Sequence, residues 1–241
     1  MKKHAYLIMA YNNFDLLEKL ILRLNDYRND IFIHIDKKSD LENNFEEKIK
    51  DEYKKSNIYF LDRINVYWGE FSQIQCELNL LKATTSVGKY EYYHLLSGSD
   101  YPIVSQDTIH NFFESNEGKE FIEIKPNLEK RFFDTRYNCY NFFVKCFKNK
   151  NKLVSKLSKR LIQFLILIQY WLKIKRRKNE TVKYGSQWFS ITSNAVDLIL
   201  KNEEIIKEKY KFTLCCDEIF LQTLLYNSKL RKILAMESLE I

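Results

Sequence analysis

The sequence predicts an α/β protein built on a mixed, mostly parallel sheet with helices on both faces. Three observations carry that expectation. Short apolar runs rich in β-branched and aromatic residues, among them His4 to Ala10, Ile31 to Asp36, Ile58 to Leu61 and Tyr92 to Leu96, alternate with longer amphipathic stretches. Two of these runs stop on acidic or polar residues, at Asp36 and at Ser97-Gly98-Ser99-Asp100, which is how a buried strand hands over to a loop at the ligand edge of an open sheet. Only five glycines and two prolines occur in 241 residues, so no flexible linker divides the chain. One domain spanning 1–241, with a basic and apolar helical insertion at about 141–182, accounts for the length.

In chain order, HAYLIMA (His4 to Ala10) reads as a buried first strand, and Asn12 or Asn13 as the cap of a helix with Leu16, Leu17, Leu20, Ile21 and Leu24 on one face. IFIHID (Ile31 to Asp36) is a second strand, followed by the polar Lys37-Lys38-Ser39-Asp40; a charged helix near Phe45 to Tyr53 then leads to a third strand at Ile58 to Leu61. After Val66-Tyr67-Trp68-Gly69, the run Ser72-Gln73-Ile74-Gln75 has the form of a capping box, and Ile74, Leu78, Leu81 and Thr85 mark the apolar face of the helix it opens. The fourth strand, Tyr92 to Leu96, ends at Ser-Gly-Ser-Asp, and Pro102 forbids its simple continuation. Ser105 or Asp107 starts a helix running through Phe113, and EFIEI (Glu120 to Ile124) alternates like a half-buried strand. Gln187 to Thr192 is strand-like, Ser193 caps a helix carrying Val196, Ile199 and Leu200, and Asp217-Glu218 opens the last clear helix, with Phe220, Leu221 and Leu224. From Lys229 onward the pattern predicts no element.

Composition excludes several classes. Neither GxGxxG nor GxxxxGK[ST] is present, which disfavours a simple dinucleotide or P-loop enzyme. The five cysteines, Cys76, Cys139, Cys146, Cys215 and Cys216, fall in no zinc-binding spacing and read as free thiols of a reducing compartment. The apolar run from Ala5 to Ala10 is too short for a signal-peptide core, and no stretch reaches the roughly 20 apolar residues that span a bilayer, so a cytoplasmic location is expected. The net charge of +7 is concentrated: no Asp or Glu lies between Arg136 and Asn179, where Lys145, Lys148, Lys150, Lys152, Lys156, Lys159, Arg160, Lys173, Lys175, Arg176, Arg177 and Lys178 crowd together. Within that block LIQFLILIQYWL (Leu161 to Leu172) suits an interfacial helix. Segment 152–178 is thus either a peripheral contact with the inner membrane face or a buried helix with solvated basic ends. Without a helix-turn-helix or interleaved basic and aromatic residues on a strand, a nucleic-acid partner is not expected.

Several of these pieces fall together in a recognisable order: Ile33-His34-Ile35-Asp36-Lys37-Lys38-Ser39, Val66-Tyr67-Trp68-Gly69 with Ser72, Leu95 through Pro102, Phe121-Ile122-Glu123, Gly185-Ser186-Gln187-Trp188-Phe189, and Asp217-Glu218. In this order they resemble the core-2/I-branching β-1,6-N-acetylglucosaminyltransferases and their peptide O-xylosyltransferase relatives, with the look of a small bacterial-type member. The resemblance implies a GT-A-like nucleotide-binding fold. It also implies inverting transfer of a sugar, N-acetylglucosamine or xylose, from a UDP-sugar to a glycan or lipid-linked glycan acceptor, with no cofactor.

An inverting displacement needs a general base on the acceptor hydroxyl and a group that stabilises the departing diphosphate. The resemblance puts the base at Glu218, and a place in the first turn of a helix would favour its ionised form; taken alone, Asp217-Glu218 would serve equally as a helix cap. For the donor the resemblance points to Ala10, Tyr11 and Asp36 at the ends of the first two strands, with Ser99, Asp100, Gly185 and Ser186 on the rim. Glu123 and Trp188 are the acceptor candidates, while His34 reads as a packed core residue. The family's basic pair near the carboxyl end has only Arg231 and Lys232 as counterparts before the chain stops at Ile241. Were a divalent metal used, Asp100 would be its ligand, offering one carboxylate where an Asp-x-Asp offers two. A reading from another class keeps only the basic block and makes the chain a non-catalytic membrane- or nucleic-acid-binding protein.

Overall fold

Seven strands form one sheet in the computed structural model, which describes residues 2–125, 134–149, 151–174, 176 and 181–235. The strands are β1 (His4–Ala10), β2 (Asn29–Ile35), β3 (Asn57–Phe60), β4 (Tyr92–Ser97), β5 (Glu120–Ile122), β6 (Phe189–Thr192) and β7 (Leu234–Ala235). They lie in the order β3-β2-β1-β4-β6-β5-β7, and all but β6 run in one direction. Register makes the carboxyl ends of the central strands level, since Met9 pairs with both His34 and Ser97. Because β6 is antiparallel to β4, with Phe189 opposite Leu95, it is the amino end of β6 that reaches this same edge.

The described helices are α1 (Phe14–Leu24), α2 (Phe45–Glu52), α3 (Ser72–Val87), α4 (Gln106–Ser115), α5 (Lys152–Trp171), α6 (Ser193–Lys201), α7 (Glu203–Tyr210) and α8 (Phe220–Tyr226). Successive strand residues point to opposite faces, so Leu7 and Phe32 enter a core with Leu78 and Leu81 of α3, Val196 of α6 and Leu221 of α8. Ile8 and Ile33 enter the other, with Leu17, Leu20 and Ile21 of α1 and Phe45 of α2. Burial on both faces is why β1 and β2 read as continuous apolar runs rather than alternating ones. A smaller cluster of Tyr92, Ile109, Phe113 and Phe121 surrounds a histidine group, in which His94 meets His4 Nδ1 at 3.1 Å and Ser190 Oγ at 2.8 Å. Burial pushes His94 down to about 3 and His4 lower still, so both rings are neutral.

Local capping departs from the sequence reading where a side chain is taken by a distant partner. The predicted capping box does not form: Ser72 Oγ accepts from the Tyr67 N–H at 2.8 Å, and Gln75 donates to Asn79 within α3. Thr84, not Thr85, faces the core. Asn13 sits at the start of α1 in a left-handed conformation (φ 52°) with no side-chain cap bond. Ser105 caps α4 as expected, its Oγ accepting from the Thr108 N–H at 3.2 Å. Ser193 is the first residue of α6 rather than its cap; the preceding Thr192 gives its hydroxyl to Glu120 at 2.5 Å. That bond explains why β5 is wholly buried instead of half-buried, because the Glu120 carboxylate is satisfied inside by Thr192. The carboxyl-terminal residues, for which no element was expected, form a 3-10 turn (Lys229–Ile233) and β7, where Ala235 pairs with Phe121.

Candidate active site

Two cavities open at the level edge of the sheet and share Trp188 as a wall. The larger, about 980 Å³, is lined by Ala10 and Tyr11 after β1, by Asp36 after β2, by Tyr67 and Trp68, and by Lys145, Lys148 and Gln187. Its size is at the upper end of ordinary ligand sites. Asp36 is fixed there by its own turn: its N–H donates to the Ala10 carbonyl at 2.9 Å and Oδ1 accepts from the Lys38 N–H at 2.9 Å. The Arg63 guanidinium closes the loop from beneath, donating to the carbonyls of Asp36 (2.8 Å) and Ser39 (2.5 Å). His34 also lines this cavity; its Nε2 accepts from the Ile64 N–H at 3.0 Å and burial lowers its pKa.

Three ammonium groups enter this cavity. Lys38 lies 4.0 Å over the Tyr67 ring, Lys148 4.0 Å over the Trp68 ring, and Lys145 3.8 Å from Glu70. Lys38 also pairs with Asp36 Oδ2 at 3.2 Å, so Lys38 and Lys145 each face a carboxylate as well as the cavity. Arg231 and Lys232 line neither cavity: Arg231 stacks 4.0 Å over Tyr226 and donates to its hydroxyl at 2.7 Å, and Lys232 is exposed.

The second cavity, about 350 Å³, lies between β4, β5 and β6 and is lined by Asp100, Tyr101, Glu123, Ser186 and Trp188 among others. Asp100 therefore faces the cavity of Glu123, not that of Asp36. Its carboxylate also closes its own turn, Oδ2 accepting from the Ser97 N–H at 2.8 Å, while Ser99 lines neither cavity. Gly98 lets this turn lie against β1, since a Cβ there would come 2.7 Å from Ala10 Cβ.

Glu218 lines neither cavity and is joined to them through its neighbours. Contrary to the sequence reading it is not in an α-helical first turn: Cys216–Glu218 is a 3-10 turn and α8 begins at Phe220. Its half-buried carboxylate pairs with Arg136 Nη1 at 3.5 Å and accepts a hydrogen bond from the Tyr184 hydroxyl, whose pKa burial and this carboxylate push up to about 12. The Glu218 carbonyl accepts from the Gly185 N–H at 3.0 Å, so Glu218 is tied to the strand of residues whose next members, Ser186 and Gln187, line the two cavities. Gly185 has no room for a side chain, because a Cβ would overlap the Glu123 carbonyl oxygen. The Tyr184-Gly185-Ser186 segment thereby locks Glu218 on one side to Glu123 on the other.

Asp217 behaves differently from its neighbour. It is buried, its Oδ2 accepts from Gln73 Nε2 at 2.8 Å, and desolvation followed by the charge of Glu218 pushes it up to about 7. Gln73 in turn accepts from the Gly69 N–H, which joins the Val66-Tyr67-Trp68-Gly69 loop to the Asp217 turn. Behind them Glu77 is fully buried with both carboxylate oxygens lacking a hydrogen-bond partner, and burial together with Asp217 raises its pKa well above the usual range. Glu77 was detectable in the sequence, since with Ile74, Leu78 and Leu81 it falls on the buried side of α3. Arg136, Gln73 and the cavity roles of Lys145 and Lys148 carried no such local signal. Among the described residues no group of three or more His, Cys, Asp or Glu side chains could hold a metal ion.

A family model described as Core-2/I-Branching enzyme matches residues 4–241. No curated protein matches the chain. Among solved structures, the mannosyltransferase PcManGT from Pyrobaculum calidifontis, in complex with GDP-Man and Mn2+, is similar at 9% identity and a TM-score of 0.40, over 56% of this chain and 39% of that one. The chain thus spans about two fifths of that protein's length. A 4-diphosphocytidyl-2C-methyl-D-erythritol synthase from Anaerococcus prevotii is similar at 12% identity and a TM-score of 0.42, over 87% of this chain and 75% of that one.

Proposed function

The chain belongs to the core-2/I-branching enzyme family and is a glycosyltransferase, and from that premise we propose that it transfers N-acetylglucosamine or xylose from a UDP-sugar to a glycan or lipid-linked glycan hydroxyl. Transfer inverts the anomeric carbon and uses no metal. One observation supports this reading above the others: two cavities meet at Trp188, with a half-buried carboxylate, Glu218, tied to the segment between them. The larger cavity takes the nucleotide, with Asp36 accepting hydrogen bonds from base or ribose and the Tyr11 ring at its mouth. Lys38, Lys145 and Lys148 take the diphosphate in place of Arg231 and Lys232, and neutralise the charge that grows on it as the glycosidic bond breaks. Asp100, Ser186 and Trp188 border the transferred sugar, and Glu123 holds the acceptor.

In the chemical step Glu218 accepts the proton of the acceptor hydroxyl while the oxygen's electron pair forms the new bond to the anomeric carbon, and the nucleoside diphosphate leaves with the electrons of the old one. The Arg136 ion pair and the Tyr184 hydrogen bond hold the carboxylate in a single orientation for that transfer. Thermal-shift measurement with a nucleotide panel tests the site: UDP raises Tm more than ADP, GDP or CDP. Glu218→Gln keeps that UDP shift and loses transfer by about a thousandfold. Equal shifts with all nucleotides would remove the uridine assignment, and undiminished turnover in the variant would remove Glu218 as the base.

A further inference from the structure

Helix α5 is built inside out. A helix on the surface of a water-soluble domain turns its apolar stripe inward and its polar face outward. In α5 the face against the protein carries Ser155, Ser158 and Gln169 beside Ile162, and it is held by hydrogen bonds. Ser155 Oγ donates to the Phe147 carbonyl at 2.6 Å and Ser158 Oγ to that of Cys146 at 3.2 Å, while the Gln169 amide pairs with both backbone groups of Tyr140. The outward face carries Leu153, Leu157, Phe164, Leu167 and Trp171, at spacings of three, four and seven, and these are between 59% and 82% exposed. At 20 residues the helix extends about 30 Å, so the stripe runs the length of a small domain.

We propose that this stripe is an interfacial anchor that lays the protein flat on an anionic phospholipid bilayer. Charge selects that occupant. Lys152 and Lys156 flank the stripe on one side and Arg160 lies within it, placed for their ammonium and guanidinium groups to reach phosphates while their alkyl stems follow the apolar residues into the headgroup layer; Lys159, on the same side, lies 5.3 Å over the Phe147 ring. A second copy of the chain seated on the same face would bring these cations against their own kind. No acid lies between Arg136 and Asn179 to pair with them. Spanning is not the alternative, because no described helix is long and apolar enough to cross a membrane. Lys150, Lys175, Arg177 and Lys178 of the same block lie outside the described residues.

The anchor adjoins the larger cavity. The carbonyls of Cys146 and Phe147 that receive Ser158 and Ser155 belong to the segment whose Val144, Lys145, Lys148 and Asn149 form one wall of that cavity. Docking would therefore bring the segment that walls the nucleotide cavity close to the lipid surface.

The test is sedimentation of the whole chain with vesicles of phosphatidylcholine alone or with a third phosphatidylglycerol. The anionic vesicles bind at low salt at least tenfold more tightly than the neutral ones. Leu157→Glu with Phe164→Glu abolishes that binding while Tm and the UDP-induced shift stay unchanged, since both side chains point to solvent. Failure to bind anionic vesicles at low salt would overturn the proposal, as would binding that the double variant leaves intact. Concentration-dependent dimerisation that the double variant removes would overturn it too, in favour of a second copy as the occupant. The vesicle readout is independent of donor identity, so failure of the uridine assignment leaves it standing.

Discussion

Replacing Asp217 by Asn tests the account of the buried carboxylates through protein stability. Burial displaces Asp217 from 3.8 in a free side chain to about 7 in the folded protein, which at about 1.4 kcal/mol per unit amounts to about 4 kcal/mol. The folded state binds this proton more tightly than the unfolded state, so the contribution is complete below pH 3.8 and is lost as pH rises through about 7. About 3 kcal/mol of that loss falls between pH 5 and pH 8. The asparagine side chain of Asp217→Asn is uncharged throughout and its carbonyl can still accept from Gln73, so the variant is spared the loss. Wild-type stability alone does not isolate the effect, because His4, His34, His94 and His110 are all lowered by burial and give stability that rises as pH approaches 6.5. Those histidines are common to both proteins and cancel in the difference. Glu77, raised by burial and then by the charge of Asp217, works in the direction of Asp217. Urea unfolding of both proteins at pH 5 and pH 8 is the assay: the stability of D217N relative to wild type increases by about 2 to 3 kcal/mol between the two pH values. Parallel curves would refute the reasoning and mean that the Asp217 carboxyl is ionised in the folded protein at pH 5.

Lys148→Ala raises the KM for the donor about tenfold by removing one cation from the diphosphate, with Tm unchanged; a kinetic effect confined to Arg231→Ala instead would move the diphosphate to the carboxyl-terminal turn. Gly185→Ala forces Glu123 and Glu218 apart, lowers stability by about 1 to 3 kcal/mol in urea unfolding and cuts transfer at least tenfold. Addition of EDTA leaves turnover unchanged, and a collapse that added Mn2+ restores would return Asp100 to the role of metal ligand.

The parallel half of the sheet was legible in the sequence because β1, β2 and β4 are buried from both sides, and that kind of burial writes itself as uninterrupted apolar runs. The resemblance names Ala10, Tyr11 and Asp36 at the ends of two of these strands, and all three line the larger cavity. What the sequence hid are contacts made across long separations. Ser72 leaves its predicted box for Tyr67, Thr192 at the start of α6 turns to Glu120, and Arg136 reaches Glu218 from 82 residues away. Lys145 and Lys148 were visible only as members of a basic block; that they turn away from the rest of it, onto Tyr67 and Trp68, depends on how Ser155 and Ser158 pin their segment. Strand β7 is two residues long, too short for any periodicity to register.

The three tryptophans of the chain divide among its three surfaces: Trp68 in the larger cavity beneath Lys148, Trp188 in the wall common to both cavities, and Trp171 at the solvent-facing end of α5. Intrinsic fluorescence is therefore already sorted by location. With the other two replaced by Phe, each remaining indole becomes a private channel: Trp68 for quenching by the nucleotide, Trp188 for arrival of the transferred sugar, and Trp171 for the blue shift of entry into lipid.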